Sequence, residues 1–180
     1  MHKCSRGWSP LVWSRLPTGF TLVELMVTIA VLAILMAIAL PNFTALINGS
    51  RLTSQANELV ASLQYTRSES VRLNRRVTLC PSSDGANCST TAGWARWIAR
   101  VDASGEVLRD TVSKGKTTIS ADVSKITFSS DGLARGTDGM LAAAAIMVCM
   151  NTRQPTDNIR VVSLVGGARI SVQQQTGTCQ

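Results

Sequence analysis

Gly19-Phe20-Thr21-Leu22-Val23-Glu24-Leu25-Met26 opens an apolar run that continues to Leu40, and Glu24 is the only charged residue in 20–40. Coiled as a helix rising about 1.5 Å per residue, a run of that length spans the ~30 Å hydrocarbon of a bilayer. A carboxylate within such a span costs about 2.5–3.5 kcal/mol on insertion scales and reads by default as functional. Glu24 therefore requires a partner.

The flanks give the run a direction. Lys3, Arg6 and Arg15 precede it, and the next cation is Arg51. That asymmetry places the N-terminus in the cytoplasm and everything after Leu40 across the membrane. A conventional secretory signal peptide is the competing expectation, because Ala37-Ile38-Ala39 resembles a small-x-small cleavage site. Against it, the run exceeds the usual apolar region of about 7–15 residues and contains a carboxylate.

The chain has 180 residues and a formal charge of +7. A cut after Gly19 removes three of its 18 cations and leaves 15 against 11 anions, a mild +4 compatible with a polyanion partner but not demanding one. The single histidine, His2, leaves with the same cut. The remainder then excludes Ser-His-Asp and Cys-His catalysis and any histidine-ligated metal. Neither an enzyme, a cofactor nor a metal is expected.

Beyond Leu40, Pro41 removes a helical donor and is placed to kink the helix. Helical spacing then resumes, with Leu52, Ala56, Leu59, Val60, Leu63 and Val71 on an apolar stripe and Arg51, Gln55, Glu58, Ser62, Glu69 and Arg72 on a polar one. The pattern stops near Asn74, so 21–74 reads as one helix about 80 Å long. The remainder alternates as strands at 76–80, 94–101, 106–109, 125–129, 144–150, 159–165 and 168–173, with a hairpin around Gly166-Gly167. Residues 110–122 and 135–139 read as loops. The expected fold is α+β: one long N-terminal helix, transmembrane in its first half, packed on a β-rich head of antiparallel strands. Its segments are a leader at 1–19, the membrane helix at 20–40, an amphipathic continuation at 41–75 and the head at 76–180.

Without Cys4, which lies in the leader, four cysteines remain: Cys80, Cys88, Cys149 and Cys179. An even number outside the cytoplasm favours disulfides, in any of three connectivities. Cys80–Cys88, closing the loop 81–87, with Cys149–Cys179, pinning the tail to a buried strand, is the favoured pairing. No C-x2-C spacing supports zinc.

Residues Gly19 to Met26 resemble the processing site of type IV prepilins and type II secretion pseudopilins. The resemblance implies cleavage after Gly19 by a prepilin peptidase, N-methylation of Phe20, and an assembly role for Glu24 and Pro41. It also implies packing against other pilins or pseudopilins through the helix, an inner-membrane anchor and a periplasmic head. Physics agrees about Glu24: cleavage creates an ammonium at Phe20, one helical turn away, able to pair within the chain or between neighbours. The rest of the chain is similar to the FimT/GspH group of minor pilins and pseudopilin H. The matching stretches are Val77-Thr78-Leu79-Cys80-Pro81-Ser82-Ser83-Asp84-Gly85, Gly93-Trp94, Trp97-Ile98, Ile159-Arg160-Val161-Val162 and the hairpin 166–172.

The resemblance implies a structural subunit of a type IV pilus or type II secretion pseudopilus. The alternative is a DNA-uptake receptor, since some members of the group bind DNA through a Gly-Arg-x-Arg hairpin. Here Gly166-Gly167-Ala168-Arg169 keeps the second arginine and has glycine in place of the first. Arg153, Arg160 and Arg169 are the candidate DNA contacts, and Trp94 and Trp97 are candidate stacking surfaces, with core packing the favoured role of both rings. Arg67, Arg72, Arg75 and Arg76 form a second basic group, where a helix C-terminus favours cations in any case.

Overall fold

A computed structural model of the chain describes residues 19–89 and 93–179. The leader, with Lys3, Cys4, Arg6 and Arg15, lies outside the described residues apart from Gly19. The chain divides into two compact units, one ending at Ala39 and one beginning at Leu40.

The first unit carries the start of α1, which runs Leu22–Leu73. Thr21 caps it: its Oγ1 accepts from the Glu24 N–H at 3.2 Å, and Leu25 N–H donates to Thr21 O at 3.1 Å. Thr21-x-x-Glu24 is thus the threonine-and-glutamate spacing of a capping box, and it sets Glu24 in the first turn, where the helix dipole favours a negative charge. Every side chain from Gly19 to Leu40 is exposed. The helix contains an 18-residue window of mean hydropathy 2.7, long and apolar enough to cross a membrane.

In the second unit α1 supplies one wall of the core. Leu52, Ala56, Leu59 and Leu63 are fully buried, spaced four, three and four apart as one helical face requires. The expected stripe changes character past Leu63: Val71 is exposed, while Ser62, Thr66 and Ser70 are buried instead. Their hydroxyls are satisfied locally, Ser62 on Glu58 O (2.9 Å), Thr66 on Ser62 O (2.7 Å) and Ser70 on Arg67 O (2.7 Å). Small side chains with internal hydrogen bonds let the sheets approach closely, a possibility that hydropathy alone does not reveal. Gln55, also expected on the polar face, is buried and accepts the Lys114 N–H at 2.9 Å.

The helix ends as the spacing predicts. Asn74 takes a left-handed φ of 50°, Arg75 N–H donates to Ser70 O and Asn74 N–H to Val71 O. This is a Schellman closure with asparagine in the position glycine usually holds.

Eight strands follow: β1 (Val77–Pro81), β2 (Arg96–Val101), β3 (Val107–Val112), β4 (Thr118–Ala121), β5 (Ile126–Phe128), β6 (Ala144–Cys149), β7 (Ile159–Val165) and β8 (Arg169–Gln175). They form two four-stranded antiparallel sheets, ordered β3-β2-β1-β5 and β4-β6-β7-β8. Two features depart from the sequence reading of 110–122 as a loop. β3 extends to Val112, and β4 is a separate strand. β4 buries only Ile119 and borders its sheet, so its own pattern is too short to register; pairing with β6 makes it a strand. Leu52, Leu59 and Leu63 of α1 meet Trp94, Trp97 and Phe128, with Ile146, Val162 and Leu164 of the second sheet, in one continuous core.

Disulfides join Cys80 to Cys88 and Cys149 to Cys179. Beside the second, buried Asn158 holds the tail: its Nδ2 donates to Met150 O and Gly177 O, and its Oδ1 accepts Gly177 N–H.

Candidate functional site

Two regions carry the sequence-derived candidates: the start of α1 and the β7–β8 hairpin. At the first, Gly19 and Phe20 are exposed ahead of the cap, and the Phe20 ring stands free in the isolated chain. Glu24 sits one turn into the helix, its backbone committed to Thr21. Sequence reasoning passed over Thr21, although its spacing to Glu24 carries the signal. Pro41 falls within α1.

At the hairpin the three candidate arginines do not converge. Arg160 pairs with Gln174 near one end of the ladder, and Arg169 pairs with Val165 at the other. Arg160 is also 4% exposed. Its Nη1 donates to Asp157 O and Ile159 O, and its Nη2 lies 3.3 Å from the Asp157 carboxylate. An arginine so enclosed is spent on its own loop and offers little to a phosphate. Alternation along β7 points its side chain inward, where the sequence reading places it on a surface patch. Arg153 is exposed in the loop before β7, and Arg169 is exposed at the start of β8.

The turn itself is tightly specified. Gly166 and Gly167 have φ of 59° and 71°, as a primed hairpin turn requires. A Cβ on Gly167 would stand 2.6 Å from Ala134 O. Ala134 N–H donates to Gly167 O, and Gly167 N–H to Ala142 O, so the turn is tied to the β5–β6 connection. Arg67 of α1 reaches the same turn, its Nη1 3.5 Å from Ala168 O. A helix residue thus stands beside Arg169, a neighbour that the sequence spacing conceals.

Trp94 and Trp97 are buried, at 0% and 1% exposure, which removes both as stacking surfaces. Trp97 Nε1 donates to Ser62 Oγ at 2.9 Å, fastening β2 to α1. The Cys80–Cys88 loop is ordered by Asp84, whose Oδ1 accepts the Ala86 and Asn87 N–H groups. The N–H groups of Asn87 and Ala86, in that order, hold its carboxyl well below the usual range. Of the second basic group, Arg72 is paired with Glu69 at 2.6 Å and Arg76 lies 3.9 Å from Asp102. Among the described residues no group of three or more His, Cys, Asp or Glu side chains could hold a metal ion.

A long helix, capped, apolar and exposed up to Leu40, followed by a disulfide-bonded antiparallel head, defines a type IV pilin-like protein. A model of the prokaryotic N-terminal methylation motif matches residues 17–40. A model of the Type II transport protein GspH matches residues 55–167, and the chain belongs to that family. Among solved structures, the chain is similar to the type IV minor pilin FimU of Pseudomonas aeruginosa strain PAO1. In one crystal form the identity is 27% and the TM-score 0.54, covering 69% of this chain and 89% of that one. In a second form the values are 28% and 0.52, with 68% and 92% covered. No curated protein matches at a significant level. The chain is a minor pilin or pseudopilin, from a family of structural subunits.

Proposed function

We propose that the chain is cut after Gly19 by a prepilin peptidase, N-methylated at Phe20, and held in the inner membrane by 20–40. Its N-terminus faces the cytoplasm and its head the periplasm, and from there it enters a filament with other pilin-like subunits. Its work is structural rather than catalytic. The observation that carries this reading is the exposed apolar helix capped by Thr21, with Glu24 in its first turn. The helix N-terminus already favours that carboxylate, and the ammonium created at Phe20 supplies its charge partner. Because the ammonium of an adjacent subunit satisfies Glu24 equally well, the pair sets axial register during assembly.

N-terminal sequencing of the mature protein tests the cut: Phe20 supports it, and Pro41 supports release by a signal peptidase instead. Glu24→Ala should leave membrane insertion intact and sharply lower recovery in filaments; normal incorporation contradicts the register role. Likeness to FimU over most of that chain supports a place in a type IV pilus, and the GspH family model supports a secretion pseudopilus. Recovery in sheared surface pili favours the first, and loss of type II export on deletion favours the second. The burial of Arg160 weakens the uptake of DNA as a reading, so we do not adopt it.

A further inference from the structure

The end of the second unit nearest residue 40 is built from α1 and two loops. Asn48 of α1 donates through Nδ2 to Gln154 O at 2.8 Å, in the β6–β7 loop. Further along α1, Gln55 accepts the Lys114 N–H at 2.9 Å, from the β3–β4 loop. Thr118 pairs with Cys149, so the two loops sit at the same end of their sheet. The β7–β8 turn lies instead beside Arg67, near the other end of the helix.

Arg51, Lys114, Lys116 and Arg153 gather at the end nearest residue 40. All four are exposed and, among the described residues, in no ion pair within 4.0 Å. The carboxylates around them are engaged. Glu58 lies 3.4 Å from Arg109 and Asp157 3.3 Å from Arg160, Asp110 is paired with Arg96, and Asp84 holds the amides of its own loop. An excess of positive charge therefore stands unneutralised here.

The helix leading up to this collar is apolar. No charged residue lies between Glu24 and Arg51, and Phe43 and Leu46 are 62% and 68% exposed. Counted along the helix, Phe43 lies about 5 Å past Leu40 and Arg51 about 16 Å. Headgroups extend about 5–7 Å beyond the hydrocarbon, so a span ending at Leu40 sets Phe43 among them. The ~10 Å left to Arg51 is bridged by a long cationic side chain and a Debye length of about 8 Å. An apolar foot below a basic collar is the pattern that binds an anionic lipid surface. The anchor also holds that surface at high effective concentration, which no free polyanion shares.

We infer that this collar docks the head on anionic phospholipid headgroups of the membrane that anchors it. The inference rests on the membrane-anchor reading above. Its test uses the processed full-length chain in nanodiscs of phosphatidylcholine, alone or with about 30% phosphatidylglycerol. A photo-crosslinking amino acid replaces Asn151, exposed in the β6–β7 loop, or, as the control, Met140, exposed beside Leu141 and the β7–β8 turn. Asn151 should give at least about fivefold more phospholipid adduct with phosphatidylglycerol than without, and about 0.5 M salt should remove the excess. Met140 should give little adduct in either disc. R51Q/K114Q/K116Q/R153Q should lose the excess, and R51K/R153K should keep it. An Asn151 yield that is the same in both lipids, indifferent to salt or matched by Met140 overturns the inference. So does an excess that survives the loss of all four cations. If that variant does not fold, the lipid and salt comparisons in the parent chain decide the question. A chain that fails to enter the disc defeats the membrane-anchor reading itself, whereas an inserted chain without the excess defeats only the collar.

Discussion

Ser62→Ala should destabilise the head by about 1–2 kcal/mol, and only while Trp97 is present. Ser62 Oγ receives the Trp97 indole N–H at 2.9 Å and donates to Glu58 O at 2.9 Å, with both Ser62 and Trp97 1% exposed. Alanine leaves the indole N–H buried without an acceptor, at a cost of about 1–3 kcal/mol. The Glu58 carbonyl keeps its main-chain helical bond, and alanine's better helix propensity offsets about 0.5 kcal/mol. In a Trp97→Phe background no donor is orphaned, so the same change should cost within about 0.5 kcal/mol of zero. The coupling between the two sites is then about 1–2 kcal/mol. Urea unfolding of the processed full-length protein in detergent, followed by tryptophan emission, measures all four corners of the cycle. Trp94→Phe is the control, because Trp94 Nε1 is buried with no partner among the described residues and should show no coupling to Ser62. Equal costs for Ser62→Ala with Trp97 in place and in the Trp97→Phe background would refute the assignment of this bond as the clasp between helix and head.

The hairpin turn should tolerate no side chain at its second glycine: Gly167→Ala meets Ala134 O and a φ of 71°, and thermal unfolding should show a loss above about 1 kcal/mol. Removing Cys149–Cys179 should destabilise by about 3.6 kcal/mol and removing Cys80–Cys88 by about 2.5, from sequence separations of 30 and 8; unfolding of paired serine variants checks that order. Because the folded-state value of Asp84 is lowered, its contribution is full above the ordinary carboxylate range and declines as pH falls below about 4. Carboxyl-resolved NMR should find Asp84 still ionised when exposed carboxylates have protonated, and Asp84→Asn should flatten that part of the acid-side loss. An Asp84 that titrates with the others contradicts the role given to the Asn87 and Ala86 amides.

Much of this protein was legible in its sequence wherever the signal was local. The apolar run and the Gly-Gly turn each depend on residues a few positions apart, and each has its expected structural counterpart; the Thr21-x-x-Glu24 cap is equally local, although the sequence reading did not draw on it. Six of the eight strands fall on stretches read as β within a residue or two at either end, because their apolar residues alternate or run continuously. β4 was missed and β3 read short, since the partners that complete them lie elsewhere in the chain. The buried Ser62-Thr66-Ser70 row was read as polar surface or left unassigned, for hydropathy does not record a hydroxyl bonded to its own helix. The candidate DNA-contacting arginines do not converge, for a related reason. Charge counts register Arg160 and Arg169 alike, whereas strand register separates them along the hairpin and turns Arg160 inward.

By itself, the sequence determined that Glu24 stands in an apolar helix of bilayer-spanning length and that a cut after Gly19 gives it a cation. Those are properties of spacing and charge along one helix, where neighbours in sequence are neighbours in space. Only the tertiary structure decided which arginines are buried or paired, that Arg67 reaches the β7–β8 turn, and that Val71 meets the solvent while Ser70 is buried. Burial and ion pairing at these positions depend on strands and loops brought together from far along the chain, and no local pattern encodes that meeting.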